Sequence, residues 1–249
     1  MLRAEVNGSM VWGDEVSKQD GPFLCPECSC DVIVKKGKVR IHHFSHLPEA
    51  ECRYSNGETE LHRKAKRDIY EALSSYRHVE LVEVERRLRH VRADIYLESQ
   101  GRRFAIEVQR SVLTTDDAEQ RTEEYRSLGI HVLWLALVTQ VPDSGDTYRP
   151  KQWERWLRDL YGGRVYYWAG HGDSIAPVEY MPDYSWVEQT DFGGGYWRRL
   201  KQSVVIAGHP HIPLRELRRC TRQKGAVPGA LILREADAPW FPKNEPTFR

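Results

Sequence analysis

The sequence predicts a mixed α/β fold fronted by a small cysteine-bearing β element. Three observations carry that expectation. Four of the five cysteines crowd into a turn-rich opening stretch (Cys25, Cys28, Cys30 and Cys52). Residues 58–140 then alternate between helical and strand periodicity, in the order helix, three strands, helix, strand. Finally, 40% hydrophobic and 10% aromatic residues are enough to close a core, which excludes a disordered chain. Three parts follow: an N-terminal zinc-ribbon-like element over 1–57, an α/β core over 58–140, and a C-terminal extension over 141–249 after the breaker-rich VPDSGDTYRP.

The longest purely apolar run, VLWLALV from Val132 to Val138, is far shorter than the roughly 20 residues that span a bilayer. The opening MLRAEVNGSMVWGDE lacks the apolar stretch of a signal peptide. The expectation is a cytoplasmic protein with no membrane partner. Net charge is +1, so the whole molecule advertises no polyanion. The middle is locally basic, however, through Arg86, Arg87, Arg89, Arg92, Arg102, Arg103 and Arg110.

In the core, residues 58–73 are good helix formers with Leu61, Ala65, Ile69 and Leu73 as an inward stripe. VELVEVE (79–85), VRADIYLE (91–98) and RRFAIEVQ (102–109) read as strands, the last two flanking a Gln100-Gly101 turn. Asp116 and Glu119 suggest a capping box opening a helix that Gly129 closes. IHVLWLALV (130–138) is apolar and β-branched enough to be a buried strand.

Clustered cysteines in a chain without export signals suggest metal before disulfides. CPEC aims two thiolates, Cys25 and Cys28, at one ion; His43, His46 and Cys52 compete for the other two places of a tetrahedral zinc. On a continuous strand His43 and His46 face opposite sides, so both bind only if the chain bends, and otherwise Cys52 replaces His43. The intervening VIVKKGKVRIHHF suggests a hairpin turning at Lys36-Gly37-Lys38. Cys30 reads as a bystander and Cys220 as a lone thiol. With its ligand set full, such a zinc is structural.

Strand alternation puts Arg92, Asp94 and Tyr96 on one face, and Ala105, Glu107 and Gln109 on one face of the next strand. A two-residue turn at Gln100-Gly101 pairs positions whose numbers add to 201. Asp94 and Glu107 would then stand opposed, with Cβ atoms roughly 4.5–5.5 Å apart. Two bare carboxylates at that distance repel, and a shared hard divalent cation such as Mg2+ removes the conflict. The plainer alternative is that one points to solvent, or that Arg103 and Arg110 neutralise them. On the preceding helix Glu58, His62 and Lys66 fall at i, i+4 and i+8, with Glu60 as substitute for Glu58.

In the C-terminal part, KQWERWLRDLYGG (151–163) suggests a helix packed through Trp153, Trp156, Leu157 and Leu160, and RVYYWA (164–169) a strand. LRELRRCTRQK (214–224) has helical period and a basic face suited either to phosphate contacts or to plain solvation. His209 and His211 read as an incidental loop pair.

Taken together, CPEC, IHHFSH with Cys52, ETELHRKAK, RADIYL, AIEVQRS and EQRTEEYRSLGIHVLWL resemble the competence protein CoiA-like family, over roughly residues 20–170. The nuclease core of that family belongs to the PD-(D/E)XK, restriction-endonuclease-like superfamily. The resemblance implies a metal-dependent nuclease acting on DNA, in uptake or in defence against foreign DNA. Asp94 and Glu107 would be its motif carboxylates and metal ligands, with Gln109 where the superfamily usually has lysine. Glutamine can orient water but carries no charge, and Lys66 is the replacement cation. His62 would act as acid or base, or hold a metal-ligand carboxylate, and Glu58 or Glu60 would support the metal. Fold-level analogy suggests a homodimer. The Gln109 departure supports a second reading, a catalytically silent nucleic-acid-binding protein. Near-neutral charge permits a third, a zinc-nucleated interaction adaptor.

Overall fold

The computed structural model describes residues 1–48, 50, 52, 58–110, 113–161, 163–188, 193–208, 211–214, 217–219 and 231–233. The opening residues form strands β1 (Arg3–Val6), β2 (Ser9–Trp12), β3 (Phe23–Leu24), β4 (Asp31–Lys35) and β5 (His43–His46), in a five-stranded sheet ordered β2-β1-β3-β4-β5. The hairpin expected around Lys36-Gly37-Lys38 is present, with Val34 opposite Phe44 and Val32 opposite His46. Strand β4 alternates exposed and buried positions, because one face packs on a small core of Ala4, Phe23, Val32, Val34 and Phe44 while the other faces outward.

Helix α1 (Glu60–Ser74) follows, then β6 (Val79–Leu88), β7 (Val91–Ser99), β8 (Arg102–Gln109), helix α2 (Thr115–Ser127) and β9 (Ile130–Ala136), in the order the periodicity predicts. The helix ends differ in detail. Thr59 caps α1 by accepting the His62 N–H, so Glu58 lies just before the helix and not on it. Thr114 caps α2 by accepting the Asp117 N–H. The expected box at Asp116 and Glu119 is therefore not the start; a threonine hydroxyl two residues earlier reaches the free amide first. Gly129, at φ 68°, does end α2, in the left-handed conformation that favours glycine.

The sheet then grows beyond residue 140. Strands β10 (Thr147–Tyr148), β11 (Arg164–Trp168), β12 (Ser174–Glu188), β13 (Gly195–Gly208) and β14 (Ile212–Pro213), with helix α3 (Gln152–Leu160), extend the core sheet to the order β10-β13-β12-β11-β9-β8-β7-β6, with β14 beside β12. Strands β10 to β14 thus share the sheet of the preceding segment. β15 (Leu217–Arg219) pairs with β16 (Leu231–Leu233), so the helical period read over 214–224 gives way to strand at 217–219. Cys220 and His209 lie outside the described residues; His211 is exposed.

Two helical layers enclose this sheet. Tyr167 bonds Glu154 of α3, and Trp134 bonds Thr122 of α2. The neighbouring Trp168, on the opposite face by alternation, lies under Lys64 of α1, 4.8 Å from its ring centroid. Helix α1 therefore covers one face and α2 with α3 the other. Ile95, Leu97, Phe104, Ile106, Leu133 and Leu135 are sealed between them. Burial on both faces explains why β9 reads as a continuous apolar run rather than an alternating one. No helix among the described residues is long and apolar enough to cross a membrane.

Candidate functional site

The register argument for the β7–β8 hairpin holds along the ladder. Ser99 pairs with Arg102 and Ile95 with Ile106, each pair adding to 201, and Gln100 and Gly101 both take positive φ (51° and 68°) as a primed two-residue turn requires. The ladder pairs stop at Ile95–Ile106, one step short of Asp94 and Glu107. There the Asp94 side chain takes over a backbone role, its Oδ2 accepting the Val108 N–H at 2.9 Å.

From that opening, Asp94 meets α1. His62 Nε2 lies 3.1 Å from Asp94 Oδ2, and Lys66 Nζ lies 4.0 Å from Oδ1. Lys66 is fully buried, in ion-pair contact with both Glu58 and Glu85. Burial works against a charged ammonium, but Glu85, Glu58 and Asp94 outweigh it and hold the lysine above its ordinary value. Burial likewise opposes ionisation of Asp94, yet His62 and Lys66 keep that carboxyl well below the usual range. Glu58 is also held down, against burial, by Lys66 and the neighbouring positive charges.

Glu107 turns the other way. It is buried, accepts from Arg121 Nη2 at 2.5 Å and from the Tyr125 hydroxyl, both on α2. Sequence spacing suggested Arg103 or Arg110 as neutralisers; Arg103 instead donates to the Leu128 carbonyl at the end of α2. Despite Arg121, burial first and the Asp94 charge after it push the Glu107 carboxyl up to about 7. The expected face-to-face pairing of Asp94 and Glu107 is therefore not what the contacts give: α1 engages Asp94 and α2 engages Glu107, although Glu107 still feels the Asp94 charge.

Glu107 yields a pH prediction. A carboxyl whose native pKa exceeds its ordinary 4.5 binds an extra proton in the fold between 4.5 and about 7. Its contribution is therefore favourable at low pH and falls as pH rises through that window, by up to about 3 kcal/mol. Denaturant midpoints of wild type and Glu107→Gln at about pH 5 and about pH 8 should show this slope in the wild type and its loss in the variant.

Glu85 escaped the sequence reading. The pairs Val84–Ile95 and Arg86–Ala93 set it at the level of Asp94 on the other side, and its φ of 54° turns it out of regular strand geometry. Both carboxylate oxygens accept the Leu2 N–H, at 3.1 and 3.2 Å. The signal was available: a two-residue turn at Arg89-His90 pairs positions adding to 179, which matches 85 with 94. Glu60, the substitute for Glu58, is occupied elsewhere, accepting the Ile41 N–H at 2.8 Å and pairing with Arg63. Gln109 is half-buried at the end of β8, opposite Ala136 of β9, and its carbonyl accepts the Leu137 N–H at 2.7 Å.

The N-terminal cluster is compact. The ligand atoms of Cys25, Cys28, His46 and Cys52 all lie within 4.8 Å of one another, and Cys28 Sγ is 3.3 Å from His46 Nε2. A tetrahedron with ligand bonds of about 2.0–2.3 Å has edges of about 3.5–3.8 Å, so three sulfurs and one imidazole fit a metal ion such as zinc. Backbone bonds from Cys25 N–H to the Cys30 carbonyl and from Ser29 N–H to the Cys25 carbonyl, both 2.9 Å, tie the knuckle. Burial lowers the His46 pKa, favouring the neutral ring that a metal takes. His43 is not in the set. Strand β5 is continuous, so His43 turns from His46 and its Nδ1 meets the Ile41 carbonyl at 2.8 Å. Cys30 is exposed and outside the set.

Comparison with known proteins adds the following. Residues 58–158 match the model of the competence protein CoiA nuclease-like domain, and residues 14–55 that of the competence protein CoiA N-terminal domain. Over 114 residues the chain is 28% identical to competence protein CoiA of Bacillus subtilis (strain 168), a stretch covering 45% of this chain and 31% of that protein. The match thus spans about a third of the relative's length. No solved structure matches the chain.

Proposed function

Because the chain belongs to the CoiA-like family, with a nuclease-like domain that carries Asp94 and Glu107 at one end of the β7–β8 hairpin, we propose that it is a metal-dependent nuclease cleaving DNA phosphodiester bonds. The observation that carries this reading is Asp94, its carboxyl held well below the usual range and turned toward α1 beside His62 and Lys66, the lysine in turn paired to Glu58 and Glu85. Carboxylates suit a hard divalent cation, so Asp94 would hold Mg2+ or Mn2+ with Glu58 in support, and Glu107 would join them only by turning from Arg121 and Tyr125. Such an ion supplies charge stabilisation at the phosphate and a more acidic bound water. Asp94 presents Oδ1, since Oδ2 is held by His62 and the Val108 amide. Lys66 supplies the positive charge that Gln109 lacks, and Gln109 orients water. His62, bonded to Asp94, fixes that carboxylate and is placed to carry a proton. The DNA processing would belong to competence or to defence.

A second reading draws on particular contacts. Lys66 is already paired to Glu58 and Glu85, and Arg121 to Glu107. That arrangement would suit a catalytically silent protein that binds nucleic acid. Incubating the protein with linear, circular and single-stranded DNA, with Mg2+, Mn2+ or neither, separates the two. Cleavage that requires the cation supports the nuclease; binding without cleavage under every condition supports the silent protein.

The Cys25, Cys28, His46 and Cys52 set would hold a structural zinc, since four protein ligands leave no open position for water. His43→Ala should then keep about one zinc per chain, whereas His46→Ala should lower zinc retention, as read by metal analysis after dialysis.

A further inference from the structure

Strands β12 and β13 run well past the rest of the sheet. β11 pairs with β12 only as far as Glu179, and β10 reaches β13 at Ser203 and Val204. Beyond Tyr184–Arg199 the hairpin is a two-stranded ribbon among the described residues. A strand pair with both edges in water buries little, yet this one carries large aromatics: Tyr184, Trp186, Tyr196 and Trp197 are 48%, 48%, 52% and 65% exposed. Direct pairing of Trp186 with Trp197, and of Tyr184 with Arg199, sets Tyr184, Trp186, Trp197 and Arg199 on one face, while Tyr196, paired with Val187, lies on the other. The indoles meet edge to face at 5.5 Å. Gly195 makes room for this: a Cβ there would approach the Trp186 ring to 2.6 Å.

At the base of the same ribbon lies a cleft of about 420 Å3 lined by Arg149, Arg155, Arg158, Arg199 and Lys201. Arg158 pairs with Asp159, and Gln202 engages Asp183. Arg199 belongs both to this cationic cleft and to the aromatic face. The surface therefore offers flat π faces next to closely set cations, the combination that takes unpaired bases by stacking and their backbone by charge. A duplex hides its base faces, and a lipid surface would call for apolar tips without a walled cationic cleft.

We propose that the β12–β13 ribbon and its basal cleft bind single-stranded DNA, with bases stacked on Trp186, Trp197 and Tyr184 and phosphates held at Arg149, Arg155, Arg199 and Lys201. The need for unpaired bases comes from the ribbon itself; the choice of DNA over RNA rests on the nuclease reading above.

The test is fluorescence anisotropy of a labelled oligo(dT) with the full chain, without added Mg2+ or Mn2+, so that binding is read whether or not the protein cleaves. Trp186→Ala/Trp197→Ala should weaken binding by roughly tenfold or more, while Trp186→Phe/Trp197→Phe keeps most of it. Arg155→Ala/Arg199→Ala should flatten the salt dependence by about 0.7 in log–log slope for each phosphate no longer neutralised. Unchanged thermal melting and metal content in these variants show that the fold is intact. Oligo(dT) affinity unmoved by the aromatic and arginine variants overturns the proposal. So does stronger competition by duplex DNA, by oligo(rU) or by anionic phospholipid vesicles than by unlabelled oligo(dT).

Discussion

Removing metal from the N-terminal cluster should unfold the five-stranded sheet around it. Cys25 and Cys52 are buried members of the same small core as Phe23, Val32, Val34 and Phe44, so the ligands are also packing residues. That core is too small to hold an independent fold by apolar burial. Structural zinc supplies about 10–16 kcal/mol in comparable small units near neutral pH, more than the stability of many whole domains. Cys25→Ser or Cys28→Ser, or treatment with a strong chelator, should abolish near-UV dichroism from this region and release about one zinc per chain. A protein that binds no zinc, or that melts identically after losing it, would remove the structural role assigned to this cluster.

Asp94→Asn should lower DNA cleavage by roughly a thousandfold, since losing several kcal/mol of charge stabilisation costs a factor of ten for each 1.36 kcal/mol. Asparagine keeps the shape, and its carbonyl oxygen can still accept the Val108 amide. The variant should therefore fold, and the effect should fall on turnover more than on stability. Glu107→Gln should lower cleavage as strongly if Glu107 shares the cation. Because Asp94 is held ionised well below neutrality and Glu107 is pushed up to about 7, the acid limb of the pH profile should come from Glu107. Cleavage by Asp94→Asn at the wild-type rate would sink the proposed mechanism.

Much of this architecture was legible in the residues. The Gln100-Gly101 turn fixed a register that the structure keeps as far as Ile95–Ile106, because a primed two-residue turn leaves little freedom. The choice between His43 and His46 was also legible in outline, as alternation on one strand admits one of them and leaves room for Cys52. What stayed hidden depends on contacts distant in sequence. Nothing local says that Glu107 will find Arg121 and Tyr125, since both stand on a helix whose docking is set by Ala118, Thr122 and the apolar strand beneath. The position of α2's cap shows a similar limit, because a polar run such as TTDDAEQ offers several residues able to cap. The long ribbon was missed because its alternation carries aromatics on exposed positions, a pattern that hydropathy reads as buried.

Glu27, the third residue of CPEC, lies with its carboxylate 3.9 Å from Arg92 Nε, two positions from Asp94. Leu2 donates to Glu85, and Ile41 to Glu60. The seam between the cysteine-bearing sheet and the larger one is thus polar and shared, not a surface along which two autonomous modules slide. A fragment begun after the first would leave Glu85 paired to Lys66 but without the Leu2 donor, an under-satisfied interior carboxylate that favours the unfolded chain. The boundary between the two matched segments is real as a division of sequence, but loss of the cysteine-bearing sheet should also lower the melting temperature of the larger one.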